Sequence, residues 1–178
     1  MLHIEIRKAD ETEAAKISEV LQSVAVWLET EGPGKLWPAA SFNLSEITQK
    51  IRAAEVAVLK ADGEIAACMY IEQSDDAFWP EANPLEALYL HKLAVARSFA
   101  GLGLSRMMLD WAAQYAKCAG RQFLRLDCTP RPKLVQIYVD AGFSRVSEDT
   151  VIAGFLVARL QRTLRRRSAG MRSTSVFW

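Results

Sequence analysis

The sequence predicts an α/β fold: a single domain on a mixed antiparallel/parallel sheet of about seven strands with four helices. Three observations predict it. The length of 178 residues suits one hydrophobic core. Strand-like and helix-like patterns alternate along the chain instead of segregating. The early strands are joined by a tight-turn signal, whereas later ones are separated by helix-length segments, so antiparallel pairing gives way to a parallel crossover. Apolar residues at 51% and charged residues at 24% fit a globular chain and argue against disorder or a disulfide-stapled mini-fold.

Each element has its own signal. Ile4 and Ile6 alternate with polar neighbours, the mark of a short strand. Asp10, followed by Glu13, reads as a capping pair, and Ala14, Ile17, Leu21, Val24 and Leu28 then recur at helical spacing until Gly32-Pro33-Gly34 breaks the run. Lys35 to Phe42 is expected as an ordered loop, and Asn43 or Ser45 as the cap of a second helix ending near Ala54. Val56 to Leu59 and Ile65 to Ile71 are β-rich, with Ala61-Asp62-Gly63 between them as a hairpin turn. A loop from Asp75 to Pro84 precedes a strand from Ala87 to Val95. A helix is expected from Gly101 to about Lys117, a strand from Phe123 to Asp127 and a helix from Pro132 to Ala141. Gly142-Phe143 opens another strand, and Val151 to Leu160 is read as the last.

Composition excludes several function classes. Three scattered cysteines form no Cys-x-x-Cys pair and His3 and His91 are the only histidines, so neither a disulfide framework nor a metal site is expected. That pattern fits a reducing, cytoplasmic setting. The N-terminus reads as a strand and not as a signal peptide, and no apolar run approaches the ~20 residues of a membrane helix. The net charge of +1 hides a split: six of the 22 Lys+Arg lie from Arg159 onward with no acid among them. Residues 1–158 therefore hold 16 bases against 21 acids, a net of −5. An acidic body of this kind is not expected to bind nucleic acid. Residues 161–178, with Arg165-Arg166-Arg167 and a terminal Val176-Phe177-Trp178, are expected as a mobile basic extension of a domain spanning 1–160.

The informative stretch runs from Leu90 to Arg106: a strand, a turn holding Gly101 and Gly103, and a helix. Unpaired N–H groups and the positive dipole end at a helix N-terminus suit phosphate, and glycines let it approach the backbone. No Gly-Lys-Ser/Thr follows, so this is no P-loop, and Arg106 stands where a dinucleotide fingerprint needs a small residue. An ordinary strand-to-helix turn can carry the same glycines. A second signal lies just upstream. Leu88 and Leu90 share one parity and Leu93 and Val95 the other, which is the slip a β-bulge near His91-Lys92 produces, although a strand buried on both faces gives the same pattern.

With Leu93-Ala94-Val95 leading into Ala100-Gly101-Leu102-Gly103-Leu104-Ser105, the segment resembles the acetyl-CoA-binding core of the GNAT superfamily of N-acetyltransferases. A second motif agrees: a strand, a helix reading Leu134 to Tyr138, then Gly142-Phe143. The chain departs from the family pattern at Ala100, where Arg or Gln is usual, and at Arg131-Pro132, where Asn is frequent. The resemblance covers about residues 1–160 and implies a GNAT-like acyl-CoA N-acyltransferase fold. It implies acetyl-CoA as acyl donor, with the backbone of Leu93, Ala94 and Val95 along the pantetheine arm and the amides of Gly101, Leu102, Gly103, Leu104, Ser105 and Arg106 on the pyrophosphate. Arg97 and Arg106 are nearby cations for the phosphates.

Acyl transfer to an amine needs a base, an oxyanion donor and an acid for the thiolate. No serine or cysteine sits in a nucleophile motif, which favours direct attack in a ternary complex over an acyl-enzyme. By the resemblance, Tyr138 is the acid and a strand N–H near Leu93 polarises the thioester. The base is left among His91, Glu86 and Tyr89, or a water chain reaching one of them. Asp127 either binds substrate or caps the next helix. The acceptor, a small-molecule or peptidyl primary amine, is expected between two loops rich in acids and aromatics: Glu29, Glu31 and Trp37 in one, Asp75, Asp76, Phe78, Trp79 and Glu81 in the other. The resemblance also allows a homodimer. The competing expectation is a non-catalytic acyl-CoA-binding or sensor domain, which keeps the amide cradle and needs neither Tyr138 nor a base.

Overall fold

A computed structural model describes residues 2–32 and 34–164 of the chain. The first strand, β1 (Ile4–Lys8), leads through a one-turn 3-10 segment into α1 (Ala14–Thr30), and α2 (Leu44–Arg52) follows. Three strands come next: β2 (Val56–Ala61), β3 (Glu64–Glu72) and β4 (Ala87–Val95). Then come α3 (Leu104–Cys118), β5 (Phe123–Cys128) and α4 (Pro132–Asp140), and the chain closes with β6 (Ser144–Arg145), β7 (Thr150–Ile152) and β8 (Phe155–Thr163).

The local signals operate as expected. Asp10 caps the first turn in a reciprocal capping box with Glu13, and Asn43, not Ser45, caps α2 by accepting from the Glu46 N–H at 2.9 Å. Asp62 and Gly63 both take positive φ, 49° and 86°, which is the backbone of a two-residue hairpin joining β2 to β3. The C-terminal region differs from expectation. Ala153 and Gly154, at φ 50° and 82°, fold what reads as one strand into the β7–β8 hairpin, because two consecutive left-handed residues reverse the chain. The last strand runs to Thr163 and Leu164 is buried, so the sheet takes in residues 161–163 of the expected extension. The rest of that extension, 165–178, lies outside the described residues.

The sheet runs β1-β2-β3-β4-β5-β8-β6, with β7 also on β8, and β4–β5 is its parallel pair. Every other pairing is antiparallel. A β-strand offers alternate side chains to opposite faces, and here each face has its own core. Leu88, Leu90, Leu124 and Leu126 pack with Leu104, Met108 and Leu109 of α3 and Val135 of α4. Val56, Val58, Cys68 and Tyr70 pack on the other face with Ile17, Leu21 and Ile47 of α1 and α2. The loop between β3 and β4 covers the rest of that second face, with Trp79 buried on Ala87 and Tyr89.

One ion pair ties the N-terminal elements together and sets a pH response. The Glu13 carboxylate accepts from both terminal nitrogens of Arg7 at 2.8 Å, from the Asp10 N–H at 2.9 Å and from Lys60 at 3.3 Å. These partners, Arg7 first, bring the Glu13 carboxyl from 4.5 down to about 2. A lowered carboxyl stabilises the fold above its ordinary value and loses that contribution as pH falls towards its folded value. Unfolding free energy should therefore drop by about 2 kcal/mol between pH 5 and pH 2 on this account, a figure reduced for the partly exposed Arg7. Denaturant titrations of the wild type and Glu13→Gln at several pH values check this: the variant should be weaker at pH 7 and flatter below pH 5.

Candidate active site

The site forms where β4 leaves β5. The two strands pair only over Ala87–Leu90 and Phe123–Leu126. Past Leu90, β4 stays on β3 while Asp127 and Cys128 stay on β8, so the parallel pair opens into a wedge. A bulge marks the opening. Tyr70 pairs with His91 and Cys68 with Ala94, leaving Lys92 and Leu93 opposite Met69 alone. Lys92 takes φ +55°, a left-handed conformation for a long side chain. The parity slip read from Leu88, Leu90, Leu93 and Val95 is therefore a real bulge. Leu93 and Val95 pack towards the α3 face while Ala94 packs on the other, and the β5-facing edge of Leu93, Ala94 and Val95 has no strand partner among the described residues.

At the far end of β4, Gly101 and Gly103 take φ 81° and 73°, and a Cβ built on either meets nothing within 4 Å. Gly103 is the N-cap of α3 and supplies no side-chain cap. Among the described residues the amides of Gly101, Leu102 and Gly103 donate to no backbone carbonyl. Leu104, Ser105 and Arg106 form the first helical turn, where N–H groups lack intrahelical acceptors. Six amides thus surround an open turn at a helix N-terminus, a fit for a pyrophosphate. The two expected cations are engaged elsewhere. The Arg106 guanidinium donates to Asp110 at 2.8 Å and to the Asp140 carbonyl at 2.6 Å, and Arg97 stacks 3.7 Å above the Trp27 ring. The turn therefore offers backbone rather than guanidinium groups.

On the wedge face turned away from α3, His91 sits among carboxylates. Its Nε2 is 3.7 Å from Asp75 Oδ2 and 3.9 Å from Glu72 Oε2, and its Nδ1 is 4.0 Å from Asp127 Oδ1. Asp75 Oδ1 accepts from the Phe78 N–H at 3.3 Å, which leaves Oδ2 facing the imidazole. Glu72 uses its other oxygen on Lys50 at 2.6 Å. Burial raises the Asp75 and Asp127 carboxyls above the usual range, and the nearby His91 charge pulls them back. Asp75 Oδ2, His91 Nε2 and Asp127 Oδ1 are buried with no hydrogen-bond partner.

On the α3–α4 side, Tyr138 packs edge-on to Phe143, with ring centroids 6.0 Å apart. Burial, then Cys128 and Asp127, raises its phenol above the ordinary value. It stays protonated through neutrality and so is available as a proton donor.

Other expected residues lie apart from this centre. Glu86 is five residues upstream of His91, ~16 Å at strand rise. Its carboxylate accepts from Arg125 at 2.5 Å, and that hydrogen bond holds it below the usual range against the opposing effect of burial. Tyr89 packs with Trp79 in the third core. Trp79 lies between the guanidinium groups of Arg125 and Arg159, at 4.8 and 5.0 Å, and Glu81 pairs with Arg159. Those aromatic and acidic residues anchor the loop and do not line the wedge. Glu29 pairs with Lys35 at 3.7 Å. A groove of about 740 Å³ along α1, lined by Trp27, Glu31 and Arg97 among others, holds none of the candidate catalytic residues. Glu72 and Lys92 carry no motif in the sequence. They become recognisable only once the bulge and the Tyr70–His91 register place them beside His91.

Known proteins share the chain's sequence pattern and its fold. The sequence pattern of the family described as "Acetyltransferase (GNAT) family" matches residues 21–143. The uncharacterized N-acetyltransferase YesJ of Bacillus subtilis (strain 168) is 33% identical over 122 residues, 65% of this chain and 67% of that protein. A GNAT-family acetyltransferase from Listeria monocytogenes 4b F2365 superposes with a TM-score of 0.74 at 29% identity, covering 90% of this chain and 95% of the other. The Salmonella typhimurium protein yncA, solved with its cofactor acetyl-CoA, shares the fold at a TM-score of 0.70 and 18% identity over 94% of this chain and 97% of its own.

Proposed function

The chain belongs to the acetyltransferase (GNAT) family, and we propose that it moves the acetyl group of acetyl-CoA to the primary amine of a small molecule or peptide by direct attack in a ternary complex. The observation that carries the reading is the pairing of two features on one strand: the bulge that opens β4 from β5, and the glycine turn at its end. The free edge of Leu93, Ala94 and Val95 matches the spacing of an amide-bearing arm added like a strand. The six amides of residues 101–106 receive the pyrophosphate.

The chemistry then divides between the two faces of the wedge. His91 takes the proton of the incoming ammonium, with the Asp127 carboxylate 4.0 Å from its Nδ1 as a nearby countercharge. The free amine attacks the thioester carbon, the C–N bond forms, the C–S bond breaks, and the nitrogen releases its second proton to solvent, offsetting the one that Tyr138 gives to the thiolate. The N–H of the bulged strand near Leu93 is the donor for the oxyanion. Tyr138 protonates the departing thiolate from the opposite side, which its raised phenol permits at neutral pH. Glu86 is not placed for the base role, since Arg125 holds it.

A thiol-release assay with acetyl-CoA against amines, amino acids and peptides tests this function. Tyr138→Phe should lower kcat by about tenfold to a hundredfold with CoA affinity unchanged, because it removes a proton donor from the transition state alone. A protein that binds CoA but releases no thiol with any amine would favour the sensor reading.

A further inference from the structure

His91 and Lys92 are consecutive, and the bulge turns both towards the wedge face that lies away from α3. Lys92 is half-buried, and its ammonium stands 5.3 Å from the centroid of the Trp37 ring. Among the described residues it makes no ion pair and no side-chain hydrogen bond, although Asp127 and Glu72 are near enough to act on its charge. Asp75, His91 and Asp127 each hold a buried atom with no partner among the described residues, and the three side chains come within 4.8 Å of one another. The Asp75 side chain is only 8% exposed, so water does not replace its missing partner freely.

Burying opposite charges side by side without pairing them costs free energy. The cost is offset when a ligand completes both. An alkylammonium has three donors, and hydrogen bonds of about 2.8 Å at tetrahedral angles place their acceptors about 4.6 Å apart. The triad offers one acceptor from each of three residues, all within 4.8 Å of one another, which is close enough for a single ammonium to reach. Lys92 offers the complementary cation, held off the acids by the bulge and by Trp37. Left-handed backbone at a non-glycine residue is the kind of strain that persists where a side chain has to be aimed.

We propose that the acceptor is a zwitterion, a free amino acid or an amino-acid-like small molecule, with its amino group on Asp75, His91 and Asp127 and its carboxylate on Lys92. This rests on the amine acetyltransferase reading and narrows its substrate class. It sets apart a molecule carrying a free carboxylate next to its amine from a polyamine or a peptidyl lysine.

The test is a comparison of kcat/KM for each of a set of amino acids with its C-terminal amide and its decarboxylated amine. The wild type should prefer at least one free amino acid over its amide by tenfold to a hundredfold, expressed in KM. Lys92→Met should collapse that ratio towards one and Lys92→Arg should restore part of it, with CoA affinity by calorimetry reporting an intact fold in each. Equal use of amino acid and amide by the wild type overturns the proposal while leaving the acetyltransferase reading standing. So does a ratio that survives Lys92→Met. Turnover that requires an added divalent cation and is abolished by EDTA would assign the triad to a metal and overturn it as well. No thiol release with any acceptor would instead remove the acetyltransferase reading itself.

Discussion

His91→Gln should lower kcat by about 10²–10³-fold, the range removed with a general base, while the affinity for CoA stays at its wild-type value. The imidazole is the one group on the wedge face that has a carboxylate at each nitrogen: Asp127 at Nδ1, and Asp75 and Glu72 at Nε2. The acids around the ring draw in a cationic amine. Glutamine keeps the size and a hydrogen-bonding end but cannot accept the proton. Glu86→Gln gives the contrast. It leaves Arg125, which is largely buried, without its charged partner, so its effect should appear in thermal stability more than in kcat. Steady-state kinetics on both variants decide the matter: a silent His91→Gln beside an inactive Glu86→Gln would move the base to the other end of β4.

The sequence and the structure agree most closely where a single segment determines its own shape. The strand Ala87–Val95 matches its expected limits, and the bulge within it is legible because Leu88, Leu90, Leu93 and Val95 change parity across two residues. Asp10, Asn43 and Asp62-Gly63 work through bonds or dihedrals within a few positions, and they too are readable. Partners distant in sequence are not. Arg106 reads as a phosphate cation until α4 brings the Asp140 carbonyl to it across 34 positions. Trp79 reads as a substrate-facing aromatic until Arg125 and Arg159 pack against its ring. Glu72 lies on β3 and Asp75 in the loop after it, and their meeting with Asp127 at His91 depends on the register of β3 on β4 and on where β5 diverges. The turn at Ala153-Gly154 is not legible for a different reason: alanine is a weak turn signal, and the apolar residues on either side read as one continuous strand.

Gly103→Val should weaken CoA binding by about 100-fold, about 2.7 kcal/mol, with far less damage to the fold. In most proteins a valine at a left-handed N-cap glycine tells little, because packing clashes and strain come mixed together. Here a Cβ at Gly103 meets no protein atom within 4 Å, so the folded chain meets only the backbone cost of φ +73°, about 1–2 kcal/mol for an L residue. Whatever is lost beyond that is lost to the ligand, because the isopropyl group fills open space at the turn where the pyrophosphate is expected. Gly103→Asn separates the two costs. Asparagine tolerates left-handed backbone, so stability should recover, but its side chain still covers the amides and CoA affinity should stay low. Arg106→Ala completes the comparison from the other direction. Its guanidinium already serves Asp110 and the Asp140 carbonyl, so removing it should change CoA affinity severalfold at most. Calorimetric titration of CoA into the three variants distinguishes a cradle of backbone amides from a patch of charge: strong loss at Gly103 with little at Arg106 fits the first, and the reverse order fits only the second.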